Sequence, residues 1–162
     1  RIVEASEITH NTPDFFLLKA QIAQFEGNKK EADLNKKAYF EMLNATNYGA
    51  MYNKYSTLIY ADDKANATKA LEIAKMEVDH RPTPDSYDLL AWSYLNVGQQ
   101  EKALEIAKAH VIGKSFEPNV QYHLAMIYKA NNETQKVAPI KKELLSSIYE
   151  LGPNFENKVN QL

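Results

Sequence analysis

Four of the six prolines stand at near-equal intervals, and that spacing limits this chain more than any other feature. Pro84 and Pro118 are 34 residues apart, and Pro118 and Pro153 are 35 apart. Pro13 precedes Pro84 by 71, about twice that interval. The missing start falls near Gly49, in the loop-like run Asn47-Tyr48-Gly49-Ala50. In Thr12-Pro13-Asp14 and Thr83-Pro84-Asp85 the elements of a helix start coincide. Threonine can cap, proline fits the first turn where its N–H is not needed, and aspartate meets the positive end of the dipole. A period of about 35 signals stacked helical hairpins, two helices and two turns per unit. Turn signals sit at mid-unit: Glu26-Gly27-Asn28-Lys29, Ala61-Asp62-Asp63-Lys64, Asn96-Val97-Gly98-Gln99 and Asn131-Asn132-Glu133. No stretch alternates apolar and polar residues in the manner of a strand, so no sheet is expected.

Superposing two units at an offset of 34 pairs Leu90 with Leu124, Ala91 with Ala125, Tyr94 with Tyr128, Gly98 with Asn132 and Ala103 with Val137. The unit starting at Pro84 reads Tyr87-x2-Leu90-Ala91-x2-Tyr94-x3-Gly98-x4-Ala103-x3-Ala107. This resembles the tetratricopeptide repeat, whose pattern is W-x2-L-G-x2-Y followed by A-x3-F and P. The unit before it carries Tyr52-x2-Tyr55-Ser56-x2-Ile59, then Ala70-x3-Ala74 and Pro82. The first carries Phe16-x3-Ala20-x6-Gly27-x4-Ala32, with Lys19 and Ala23 where large apolar residues are expected. The physical demand is independent of the name. Ala20, Ser56, Ala91 and Ala125 are small where two antiparallel helices touch, and Ala32, Ala70 and Ala103 meet them from the other side. Gly98 and Asn132 suit a left-handed helix end.

The fold implied is all-α: a right-handed superhelical solenoid of antiparallel helix hairpins forming a single domain over 1–162. Its parts are the end of a preceding repeat (1–10), repeats at 13–48, 49–83, 84–117 and 118–152, and a capping helix at 153–162. Ile2, Ala5 and Ile8 fall on one helical face, so a fragment of a longer chain that starts inside a helix is expected. Pro139 lies early in the second helix of the fourth repeat. That helix should begin at or after 134–136 or be kinked.

Composition narrows the chemistry. The 162 residues hold 19 basic and 21 acidic side chains and no cysteine. Disulfides and cysteine-ligated metals are excluded. No apolar run approaches the roughly 18 residues of a membrane span, so no membrane insertion is expected. Nucleic-acid binding needs clustered Lys/Arg, which this balance does not offer. The protein is expected to be soluble, with a bacterial cytoplasmic and an exported location both open. His10, His80, His110 and His123 show no metal-ligand spacing and read as surface or partly packed side chains. No phosphate loop, nucleophile elbow or dinucleotide fingerprint occurs. No catalytic residue, metal site or cofactor is expected.

The resemblance places a binding groove on the first helices of successive hairpins. In this chain it falls on Leu17, Gln21 and Gln24, then Asn53, Thr57 and Tyr60, then Asp85, Asp88, Trp92 and Leu95, and last Asn119, Tyr122, Met126 and Lys129. The single tryptophan with Tyr60, Tyr122 and Met126 has the composition of a binding hot spot. Two readings of Trp92 stay open: it lines an open groove, or it packs against Tyr60, Tyr122 or the C-terminal helix. The basic residues with which related domains grip a carboxylate tail are absent, and Asp85 and Asp88 would repel one. The expected function is a non-catalytic module holding an apolar, partly basic peptide or helix of a partner protein. The alternative is a scaffold that packs on another domain of its parent or on a second copy. An RNA-binding helical repeat is a weaker third reading.

Overall fold

The computed structural model describes Val3 and residues 12–162. The rest of residues 1–11, with the expected end of a preceding repeat and His10, lies outside the described residues. Among the described residues every regular element is a helix and none is a strand. None of those helices is long and apolar enough to cross a membrane. The chain divides into two compact units, residues 1–49 and 50–162.

The first unit holds α1 (Pro13–Phe25) and α2 (Lys29–Ala45), joined by a three-residue turn and packed along each other. Ala20 and Ala23 of α1 and Ala32 of α2 are buried, so the close approach occurs at small residues. Thr12 departs from the expected cap. Its hydroxyl makes no bond to the helix, and its carbonyl accepts the Phe15 N–H instead. The α2 start is capped by Asn28, whose Oδ1 accepts from Glu31 N at 3.2 Å.

The second unit runs through α3 (Asn53–Ala61), α4 (Ala67–His80), α5 (Pro84–Asn96), α6 (Gln100–His110), α7 (Pro118–Ala130), α8 (Val137–Ser146), α9 (Ile148–Leu151) and α10 (Glu156–Asn160). Each consecutive pair α3/α4, α5/α6 and α7/α8 packs together. The leading helices also touch in sequence, α3 with α5 and α5 with α7, while α4 meets α5 and α6 meets α7. At α5 the Thr-Pro-Asp start works as its residues dictate: Thr83 Oγ1 accepts from Ser86 N at 3.2 Å. Its far end turns through Gly98 at φ +80°, and the matching Asn132 takes φ +60°. Asparagine is among the few side chains that tolerate this region.

Ala91, Ala103, Ala107 and Ala125 are fully buried in one core with Leu90, Tyr94, Leu124 and Tyr128. Pro139 is accommodated without a break. A 3-10 turn at Thr134–Lys136 leads into α8, which places the ring in the first turn, where no intrahelical N–H bond is lost. Pro153 does not open a helix. The regular part of the expected 153–162 cap is confined to α10, five residues long, with Gly152 at φ +82° before it.

Candidate functional site

The leading helices α3, α5 and α7 bring five of the sequence-predicted groove residues of the second unit together: Tyr60, Trp92, Leu95, Tyr122 and Met126. Asp88 and Trp92 are one helical turn apart on α5 and share a face. Trp92, Tyr122 of α7 and Ala61 of α3 belong to one buried cluster, with Tyr60, Leu95 and Met126 packed at its margin. The cluster is completed by Leu144 of α8, Leu151 of α9 and Val159 of α10, together with Phe155 and Leu162. The chain's own C-terminal segment therefore packs on these groove positions and makes them a seat for it. Trp92 is 7% exposed, so its indole is packed rather than open to solvent. Phe155 stands edge-on to Tyr122, with ring centroids 5.3 Å apart at 88°. Burial pushes the Tyr122 phenol above its ordinary pKa, and the Asp62 charge adds to that.

Beneath the seat lies a buried polar group. His123 Nδ1 and Asp88 Oδ2 are 2.7 Å apart. The imidazole stacks on the Trp92 ring at 4.2 Å and 16°. Burial drives the Asp88 pKa upward, while His123, by its charge and its hydrogen bond, pulls it back. Asp85 raises it further and Lys54 lowers it. The upward direction matches the geometry, because Asp88 Oδ1 is buried without a hydrogen-bond partner. A buried carboxylate with one bare oxygen favours its neutral form. Thr57 Oγ1 and Trp92 Nε1 are likewise buried and unpartnered.

The remaining predicted residues are placed as follows. Asn53 is half-buried, and its amide donates to Glu77 Oε1 at 2.7 Å. Glu77 is 2% exposed and is also paired with Arg81. Asp85 is exposed and accepts from Ser115 Oγ at 3.3 Å. Lys129 donates to the Gln161 carbonyl at 2.7 Å. Asn119 is exposed at the start of α7. Leu17, Gln21 and Gln24 lie on α1 in the first unit. Of the two aspartates expected to repel an acidic ligand, only Asp85 faces solvent. Asp88 is buried, because its partner is a histidine of the next leading helix.

Sequence reasoning missed the contact of His123 with Asp88, and it left the packing of Trp92 on the C-terminal segment as one of two open readings. His123 follows Asp88 by 35 residues, one position more than the offset of 34, and adjacent leading helices bring such positions side by side. Phe155, Val159 and Leu162 carry the i, i+4, i+7 signature of a helix face, which was the available signal.

A cleft of about 460 Å³ opens at one edge of the second unit, lined by Lys54, Glu77, Arg81, Asp85, Ser86 and Lys114 among others. Its charges are mixed, and Glu77 is internally engaged. Among the described residues no group of three or more His, Asp or Glu side chains is arranged to hold a metal ion. No family model matches the chain, and neither the curated proteins nor the solved structures yield a match.

Proposed function

We propose that this chain is a non-catalytic interaction module of the tetratricopeptide-repeat type. In this reading its hairpins form a right-handed solenoid, and the leading helices hold a peptide or helix from a partner protein. The observation that carries it is the aromatic and apolar seat made by Trp92, Tyr122, Tyr60, Leu95 and Met126 on successive leading helices, which receives an amphipathic segment. Large aromatics at the centre of a desolvated pocket are the side chains from which binding energy is usually drawn. Within the second unit, the contacts of α3 with α5 and of α5 with α7 support the solenoid. The test is affinity capture from an extract of the source organism, with wild type and Trp92→Ala compared by mass spectrometry. Capture of a defined protein by wild type and its loss in the variant are expected. Equal recovery by both would sink the reading.

A scaffold that packs on a neighbouring domain or a second copy is the second reading. It is favoured by one observation: Leu18, Ile22 and Phe25 form an exposed apolar stripe along α1, with Phe25 64% exposed. Light scattering across a concentration series distinguishes self-association from a monomeric module.

A further inference from the structure

The segment that packs on the Trp92 cluster is short. α10 has five residues, too short to sustain itself as a free helix. It is reached through Gly152 at φ +82°, a backbone state in which most other residues are strained. Its apolar anchors are Phe155, Val159 and Leu162, spaced i, i+4, i+7, with Val159 fully buried. Two lysines grip its end: Lys129 donates to the Gln161 carbonyl at 2.7 Å, and Lys141 donates to the Asn160 carbonyl at 2.6 Å. Cations on the last carbonyls of a helix satisfy acceptors that have no intrahelical donor and complement the dipole. The side contact Lys158–Asp62 spans 3.7 Å at the surface and adds little.

We infer that this seat is a receptor for a partner helix, and that residues 153–162 occupy it in cis as a built-in competitor. The inference rests on the interaction-module reading and specifies its ligand. The chemistry of the cis occupant defines the chemistry of the partner. It carries an aromatic side chain at i, a β-branched aliphatic at i+4 and a leucine-sized group at i+7. Its helix ends where Lys129 and Lys141 can reach the last carbonyls, which fixes its direction. It meets Tyr122 edge-on through the aromatic, as Phe155 does. This is the helix-in-groove mode, in which one apolar stripe supplies the anchors. A tethered segment competes at an effective concentration in the millimolar range, so wild type should bind such a helix weakly until the segment is loosened.

The experiment uses the full chain carrying Phe155→Ala and Val159→Ala, and a fluorescein-labelled peptide with the sequence of residues 153–162. Anisotropy should show saturable binding to the double variant and binding weaker by about tenfold or more to wild type, because the cis segment competes. Trp92 emission should change on peptide addition, and a peptide with alanine at the Phe and Val positions should not bind. Capture of a partner from extract should rise in the double variant. Several results overturn the inference. One is absence of binding by a double variant that circular dichroism shows to be folded. Another is equal binding by both proteins, which puts the peptide elsewhere. Unfolding of the variant is a third, since it makes the segment part of the core. Wild type dimerising with concentration is a fourth, since the seat then serves exchange between copies. Partner capture that persists unchanged in the double variant and is not competed by the peptide would remove the inference and leave the module reading intact. Absence of any capture would remove the module reading itself.

Discussion

Replacing His123 with alanine isolates the most consequential polar contact in the molecule. The His123 and Asp88 side chains are 6% and 5% exposed and their reactive atoms are 2.7 Å apart. Asp88 Oδ1 already lacks a partner, so loss of His123 leaves a buried carboxyl whose only bonded oxygen is also abandoned. Breaking a buried pair from one side costs about 3–5 kcal/mol. An exposed pair such as Lys37–Glu41, with side chains 75% and 66% exposed, is worth only about 0–1 kcal/mol. Urea unfolding followed by far-UV circular dichroism at pH 7 separates these magnitudes. With slopes of about 1–3 kcal/mol per molar urea, the midpoint should fall by about 1 M or more. Replacing both partners with leucine removes the buried charge together with its partner, and such replacements are often neutral or stabilising. The double variant should therefore recover most of the loss. The pH dependence supplies a second check. Without His123, Asp88 keeps the burial that raises its pKa and loses the largest of the influences that lowered it, with only Lys54 left to oppose the rise. Folded protein then holds a proton that unfolded chain releases, so stability falls as pH rises from the ordinary carboxylate range through the raised value. The deficit against wild type should thus shrink in acid. A single variant within about 1 kcal/mol of wild type would behave like an exposed pair. That outcome, or a double variant as unstable as the single one, would refute the reasoning.

Three further substitutions test the packing and the backbone. Ala91→Leu adds volume at a fully buried position and should cost about 1–3 kcal/mol in thermal unfolding, whereas a silent change would mean the helices do not touch there. Gly98→Ala should cost about 1–2 kcal/mol, because φ is +80° while an added Cβ meets nothing within 4 Å. Gly98→Asn should cost less, since Asn132 holds the equivalent turn, and equal losses would show that backbone conformation is not the cause. Thr57→Val replaces a fully buried hydroxyl that has no partner with a methyl of similar shape, so calorimetry should show a neutral effect or a gain of up to about 1–3 kcal/mol. A clear loss would mean the hydroxyl is bonded in solution.

The repeating contacts were legible in the sequence because repetition displays them twice. Leu90 and Leu124, Ala91 and Ala125, and Tyr94 and Tyr128 are buried in matching pairs, and Gly98 and Asn132 both take positive φ. A register read from one unit is checked by the next. Contacts made once have no such check. The Asp88–His123 bond joins positions 35 residues apart, and nothing in the 34-residue offset marks an aspartate in one unit as the partner of a histidine in the next. The C-terminal segment was legible as a cap, and its packing on Trp92 as one of two open readings; the choice between them depends on the turn at Gly152 and on lysines of α7 and α8. Thr12 and Thr83 make the same point within a single motif: both precede Pro-Asp, yet only Thr83 caps its helix. These single-occurrence features, the buried dyad and the filled seat, are where this chain departs from its own pattern. Comparing units gives the contacts they share, and only the departures distinguish one unit from the next. Substitutions at Trp92, Tyr122, His123 and Phe155 therefore probe contacts made once, whereas changes at the repeated alanines probe contacts that recur in each unit.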